Sequence, residues 1–290
     1  MDLGVGSFVL ANSIVSRQAR CISSKNWMTA FKGASPLILI GFGRLVSTAG
    51  VDYQVHVGEY GVHWNFFFTL AAISVVTSIV NVPPQYAGIL GSVILIGYQS
   101  WLSHGLNAYL LSDGRGVDII SKNKEGIFSI FGYWGMYLIG VYLGFYLFFG
   151  KHRSATLRSS KAVIVKTWLL SLLFWLLTLL EEKYIERVSR RMCNLAYVTW
   201  VLAQNLQVLA VFMIFDYLHG SKTSVLEEAF DKNLMAVFLL ANVLTGLVNL
   251  SVDTLFVSSI SALVILAGYA FTLTAIMGIV NYYGIRLKFW

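Results

Sequence analysis

The stretch DYQVHVGEYGVHWNFFF, residues 52–68, concentrates groups able to move protons and hold polar ligands. Asp52, Tyr53, Gln54, His56, Glu59, Tyr60, His63 and Asn65 stand immediately ahead of an apolar run. A helix through its second half places Glu59 and His63 on one face, four residues apart, with His56 three residues before Glu59. Two histidines among carboxylates and tyrosines offer acid–base capacity near neutral pH. The same composition also suits an interfacial polar belt. The histidine–carboxylate spacing matches no metal-ligand pattern. The two cysteines, Cys21 and Cys193, form no CxxC or Cys/His grouping, so neither a metal site nor a disulfide framework is expected.

Other polar groups fall inside or beside apolar runs, where placing them is costly. Arg44 sits within PLILIGFGRLVSTAG. Its guanidinium fork suits a phosphate, and its position near the end of the run equally suits snorkelling to the interface. Asp2 in MDLGVGSF is a carboxylate beside flexible glycines. Asn205, Asn242 and Asn249 fit interhelical hydrogen bonds or a polar cavity. GVGSF is not a dinucleotide or phosphate loop, and neither a GxSxG elbow nor an HxxxxD acyltransferase box occurs.

The elements that must carry these groups follow from composition. Of 290 residues, 57% are hydrophobic, 12% are charged and only three are proline. A soluble domain is about 25% charged, so a soluble enzyme, a nucleic-acid-binding domain and a disordered scaffold are all excluded. Apolar stretches at 1–15, 35–50, 63–83, 86–104, 126–150, 162–180, 194–218, 233–251 and 257–284 define an all-α, polytopic transmembrane helix bundle of about nine spans, at roughly 20 residues per span. The first stretch is expected to be the second half of a helix whose start is missing. It begins with Asp2 and lacks a basic n-region, so it makes a poor signal peptide. The whole chain, 1–290, is expected to be one membrane domain. Pro83-Pro84 forces a turn between the third and fourth stretches. Gly140 and Gly144, with Gly88, Gly91 and Gly97, suit close helix packing.

The net charge of +7 points to basic loops facing anionic headgroups rather than to nucleic acid. Loops 16–34 and 151–161 carry bases without acids and are expected on the cytoplasmic side, together with the C-terminus. The opposite side receives 50–62, with Asp52 and Glu59, and 105–125, with three bases and three acids. One segment breaks the rule: 181–193 falls on that opposite side yet holds Lys183, Arg187, Arg190 and Arg191.

Residues 1–20, GRLVSTAGVDYQVHVGEYGVHWNFFFTLA (43–71), SRRMCNLAYVTWVLAQN (189–205) and FLLANVLTGLVNLS (238–251) closely resemble the glycosylphosphatidylinositol (GPI) inositol acyltransferase family. That family includes the fungal wall-protein transfer enzyme and the animal phosphatidylinositol-glycan class W protein. EYGVHWNFFF is the sharpest match, the resemblance runs through nearly the whole chain, and a plant member is the nearest in character. Family members are longer, and this chain begins inside a family block, so the family's N-terminal spans are expected to be missing.

The resemblance implies a multi-pass endoplasmic-reticulum enzyme. It would move a fatty acyl chain, usually palmitoyl, from acyl-CoA to the inositol ring of glucosaminyl-phosphatidylinositol, with acyl-CoA as co-substrate and no bound cofactor. Its partners would be these two substrates and membrane lipids, without nucleic acid. Direct transfer in a ternary complex is expected, since no nucleophilic serine or cysteine stands out. Asp2 is the first candidate to orient or deprotonate the inositol hydroxyl, with His56 and His63 as competing bases. Arg44 would hold the inositol phosphate, Asp52 or Glu59 the glucosamine ammonium, Tyr60 the substrate, and Asn65 would donate to the oxyanion. A lipid transporter or flippase and a noncatalytic subunit remain the alternatives.

Overall fold

The computed structural model describes residues 2–22, 27–48, 57–150, 160–219, 224–254 and 256–286. Among them every regular element is helical. The chain divides into two compact units, residues 1–218 and 219–290.

The first unit contains α1 (Asp2–Ile14), α2 (Trp27–Thr48), the single turn α3 (Val57–Tyr60) and α4 (Phe66–Val80). It continues with α5 (Pro84–Trp101), α6 (Asn107–Leu111), α7 (Ile119–Lys122), α8 (Lys124–Gly144), α9 (Lys161–Tyr184) and α10 (Leu195–His219). The second contains α11 (Val225–Lys232), α12 (Leu234–Ser251) and α13 (Ser259–Tyr282). Each of the nine expected apolar stretches falls on a helix. Five segments are long and apolar enough to cross a membrane: Lys124–Phe149, Lys161–Tyr184, Leu195–Leu218, Leu234–Ser251 and Ser259–Tyr282. Leu3–Ile14 and Phe66–Val80 are shorter apolar helices. α2 begins at Trp27, ahead of the expected stretch, and runs through Pro36.

Local chemistry sets the boundaries. Asn65 caps α4, its side chain accepting the amides of Phe67 and Phe68, and α4 stops at Asn81, which is left-handed at φ 40°. Pro84 occupies the first turn of α5, where no amide is needed. α5 passes through a wide turn at Leu102–Leu106, broken at Gly105 with φ 116°, before restarting as α6. Ser224 and Glu227 form a reciprocal capping box on α11.

The first unit packs through glycines. α5 and α8 run antiparallel, with Trp101 against Phe128 and Tyr98 stacked on Phe131. Further along, a side chain on Gly91 would sit 2.7 Å from the Gly135 carbonyl, and one on Gly135 would sit 2.6 Å from Leu95. α1 lies along α8, where Gly140 admits Ser13 and Gly144 admits the Ile14 carbonyl. Gly88 admits the Tyr142 ring, whereas Gly97 faces open space. Without a water-driven hydrophobic effect between spans, this close backbone approach supplies much of the packing energy. The core behind it joins Leu10, Leu95, Tyr133, Met136, Tyr197, Val201 and Leu206.

The glycines give a signed prediction. Gly91→Ala forces α5 from α8 and should destabilise by roughly 1–3 kcal/mol. Gly97→Ala meets nothing within 4 Å and should be neutral or stabilising by up to about 1 kcal/mol through helix propensity. Thermal unfolding of the detergent-solubilised variants compares the two; equal melting temperatures would refute the close contact.

Candidate functional site

At one end of the first unit, α3 meets the end of α5–α6, the start of α8 and the 185–194 segment leading into α10. The central group is Glu125, in the first turn of α8, where a carboxylate is favoured by the helix dipole. Its side chain is 0% exposed and accepts from two arginines. Arg115 grips it with both forks, Nη2 to Oε1 at 2.7 Å and Nη1 to Oε2 at 3.0 Å. Arg191 Nη2 reaches Oε1 at 2.9 Å and the Leu110 carbonyl at 2.8 Å. Arg115 also donates to the carbonyls of Lys122 and Val57, at 2.9 and 3.3 Å. Beside Glu125, Lys124 is fully buried. Its ammonium donates to the carbonyls of Tyr109, Ser112 and Gly114 and to the Ser112 hydroxyl, at 2.7 to 3.1 Å.

α3 rests against these cations. Arg190 pairs with Glu59 and lies over the Tyr60 ring, 5.8 Å from its centre. Arg191 lies beside Gly58, where a side chain would come within 3.6 Å of the guanidinium. α3 then ends at Gly61, with φ 110°, pressed so closely on Asn123 and Lys122 that only glycine fits. Asn123 Oδ1 accepts the amides of His63 and Trp64 at 2.8 and 3.0 Å. The Trp64 ring reaches Thr69 Oγ1 at 2.9 Å.

Burial sets the electrostatics. The Tyr60 phenol is pushed up to about 12, first by burial and further by Glu59, against the pull of Arg190. Among the described residues its buried hydroxyl makes no well-formed hydrogen bond, and the Tyr133 phenol stands close enough to draw it down as a hydrogen-bonding neighbour. Burial likewise pushes the Cys193 thiol up. For Arg190, burial is the largest single effect and acts to lower the guanidinium, but the Glu59 hydrogen bond together with the neighbouring Tyr60, Glu59 and Tyr133 outweighs it and the net direction is upward. A second carboxylate, Glu186, is held by amides: Gln99 and Asn107 at 3.1 Å and Asn194 at 3.3 Å. It fastens both sides of the Gly105 break to the start of α10.

The sequence-predicted residues fall as follows. Glu59 and Tyr60 are adjacent in α3, under Arg190. His63 is exposed just beyond, its backbone held by Asn123. Glu59 and His63 do not share one helix face as expected, because Gly61 ends α3 between them. Asn65 is buried with both ends of its amide engaged: Oδ1 caps α4 and Nδ2 donates to the Gly41 carbonyl at 3.0 Å. Arg44 is exposed on α2. Asp2 opens α1, four residues before Gly6, which faces the Tyr197 hydroxyl and Val201; its side chain lies outside the described groups. Asp52 and His56 lie outside the described residues. Among the described residues no cluster of His, Cys, Asp and Glu could hold a metal ion.

Residue-type reasoning passed over Glu125, Arg115, Lys124, Arg190, Arg191 and Glu186. The available signal was the misfit of charge. The four bases of 181–193 offend the loop-charge rule, yet Arg190 and Arg191 are paired with Glu59 and Glu125 rather than displayed.

Helices of membrane-crossing length, glycine-packed and carrying a buried ionic cluster at one end, define a polytopic helical membrane protein. The GWT1 family profile matches residues 1–280, and the chain belongs to that family. It is 63% identical over 290 residues to an uncharacterised Arabidopsis thaliana protein, covering 100% of this chain and 66% of the relative. It is 35% identical over 336 residues to the phosphatidylinositol-glycan biosynthesis class W protein of Dictyostelium discoideum, covering 100% of this chain and 67% of that one. It is 34% identical over 319 residues to GPI-anchored wall transfer protein 1 of Aspergillus fumigatus, covering 95% and 63%. The chain thus spans about two thirds of the length of these relatives.

Two predictions follow from the geometry. Asn123→Ala leaves the part-buried amides of residues 63 and 64 short of an acceptor and should cost about 1–2 kcal/mol. Asn123→Asp keeps the accepting oxygen but turns the Nδ2 donor to the Ile119 carbonyl into an acceptor at a buried position, so it should also melt below the parent in the same melting assay. Tyr60 should be a phenol that resists ionisation up to about pH 12. Because burial raises it above its unfolded value, its stabilising contribution is complete below about pH 10 and fades as pH climbs to about 12. An alkaline ultraviolet titration of parent and Tyr60→Phe checks this; identical curves above pH 10 would refute it.

Proposed function

We propose that this chain is the catalytic part of an acyl-CoA-dependent inositol O-acyltransferase of GPI-anchor biosynthesis. It works in the endoplasmic-reticulum membrane on glucosaminyl-phosphatidylinositol, with palmitoyl-CoA as the expected donor. The names of its Dictyostelium and Aspergillus relatives support the pathway. The observation that carries the chemistry is the buried Tyr60 hydroxyl, which lacks a well-formed hydrogen bond among the described residues and lies beside the Glu59–Arg190 pair and the Tyr133 phenol. A buried donor without a partner is costly, and a ligand oxygen would satisfy it.

The reaction joins an inositol hydroxyl oxygen to the thioester carbonyl carbon and releases CoA as thiol. The hydroxyl proton goes to a base and then to the departing thiolate. Asp2 is our first choice as base, with His56 and His63 as competitors. Because its phenol stays neutral, Tyr60 acts as donor to the tetrahedral oxyanion, where one well-placed hydrogen bond in a water-poor site is worth several kcal/mol. Glu59, with 39% of its side chain exposed, receives the glucosamine ammonium together with Asp52, and Arg44 takes the inositol phosphate. Asn65, whose amide is spent on α4 and Gly41, is assigned to positioning.

Microsomes lacking the native activity, expressing either this chain or the full-length Dictyostelium relative, should convert glucosaminyl-phosphatidylinositol and labelled palmitoyl-CoA to an inositol-acylated lipid detected by mass spectrometry. Tyr60→Phe should lower turnover by roughly 10²–10³-fold, the usual loss on removing one oxyanion donor. Product from the relative but none from the folded 290-residue chain would end the claim that this chain suffices. Translocation of the lipid without acylation would replace the enzyme reading with a transporter.

A further inference from the structure

A single helical turn does not hold its shape alone, because nucleating a helix fixes several residues for one hydrogen bond. Yet α3 carries Glu59 and Tyr60 in defined places. Arginines account for all four of its residues: Arg115 bonds the Val57 carbonyl, Arg191 flanks Gly58, and Arg190 pairs with Glu59 and covers Tyr60. Guanidinium groups so close repel one another and never deprotonate in proteins. Glu59 answers Arg190. Glu125 answers both Arg115 and Arg191, from a position with no solvent contact of its own.

We infer that Glu125 is a positioning residue of the acyl-transfer site: by holding Arg115 and Arg191 together it fixes α3, and through α3 the Tyr60 hydroxyl and the Glu59 carboxylate. The inference rests on the acyl-transfer reading for its effect on turnover, though not for the clamp itself. Glu125 touches no substrate; it acts through the two arginines. Arg191 depends on it closely, since its Nε is buried without a partner and its Nη2 is anchored by Glu125 and the Leu110 carbonyl. The 57–64 segment is also tied down after α3 by the Lys122 carbonyl and Asn123, and at the end of α3 by the Tyr60 carbonyl packed on Gly126, none of which fixes the start of α3 or the two side chains.

Two variants test this. Glu125→Gln keeps the shape but leaves two half-buried cations without their shared counter-charge. Glu125→Leu combined with Arg115→Met and Arg191→Met removes the whole ionic group, a replacement that often restores or raises stability. Each is purified in detergent, melted, assayed for kcat and KM, and titrated at alkaline pH against its own Tyr60→Phe counterpart. Glu125→Gln should lower kcat by about tenfold or more while KM changes by less than about threefold. The Tyr60 midpoint should fall from about 12 toward the ordinary value near 10. The triple variant should melt like the parent yet recover neither kcat nor the high midpoint, which separates positioning from mere stability. Parent-like kcat in either folded variant, or a Tyr60 midpoint unmoved in both, would overturn the inference. If the parent yields no product at all, the acyl-transfer reading falls by itself and the Tyr60 titration still decides whether Glu125 holds α3.

Discussion

One carboxylate shared by two guanidinium groups organises the polar end of this bundle. Desolvating Glu125 costs several kcal/mol, and only near-ideal geometry with further hydrogen bonds offsets it. The structure supplies much of that geometry: a bidentate Arg115, a second guanidinium from Arg191, and carbonyls from residues 57, 110 and 122 that accept further guanidinium donors. Because those carbonyls belong to separate segments, the ion cluster also ties the start of α3 to the last turns of α6 and α7. Lys124 does the same for the 109–114 backbone. The polar groups are mutually constrained, as a site that must hold reacting groups to within a fraction of an ångström requires.

Beneath this cluster the packing becomes tight and apolar. Gly126 makes room for Trp64, Gly132 for the Cys193 carbonyl, and Gly135 for Leu95, all on α8. The same helix therefore bears the ionic cluster in its first turn and accepts a backbone or large side chain at each following glycine. α8 acts as the spine of the first unit: α1, α4 and α5 are registered against it, and α3 is held to its first residues. A shift of α8 would displace the apolar core and the candidate site together.

Much of the helical framework was legible in the sequence because long apolar runs have one outcome in a bilayer: backbone groups must bond within the segment. Pro83-Pro84 and the glycines at 88, 91, 140 and 144 also read correctly, while Gly97 has the right spacing and no neighbour. The polar run 57–65 was legible as a concentration of chemistry, but its partners were not. Glu59 with Arg190 and Glu125 with Arg191 are pairs distant in sequence, brought together by helix packing that no local pattern encodes. Asn65 illustrates the reverse difficulty. Its position before an apolar run fits a catalytic donor and a helix cap equally well, and the structure spends its whole amide on capping and on Gly41. The expected Glu59–His63 face did not form, because one left-handed glycine between them outweighs the i,i+4 spacing.

The buried pairing of Arg115, Lys124, Arg190 and Arg191 exists only once the helices have packed. While the chain is being threaded into a membrane, each of these groups is a bare cation, and the loops bearing them compete with the basic loops at the opposite end for the same side of the bilayer. Folding later pairs Arg190 and Arg191 with Glu59 and Glu125 and so removes them from that competition. The finished protein thus looks more asymmetric in charge than the nascent chain that had to choose its orientation. Early topology and final electrostatics are written in the same residues but read at different times.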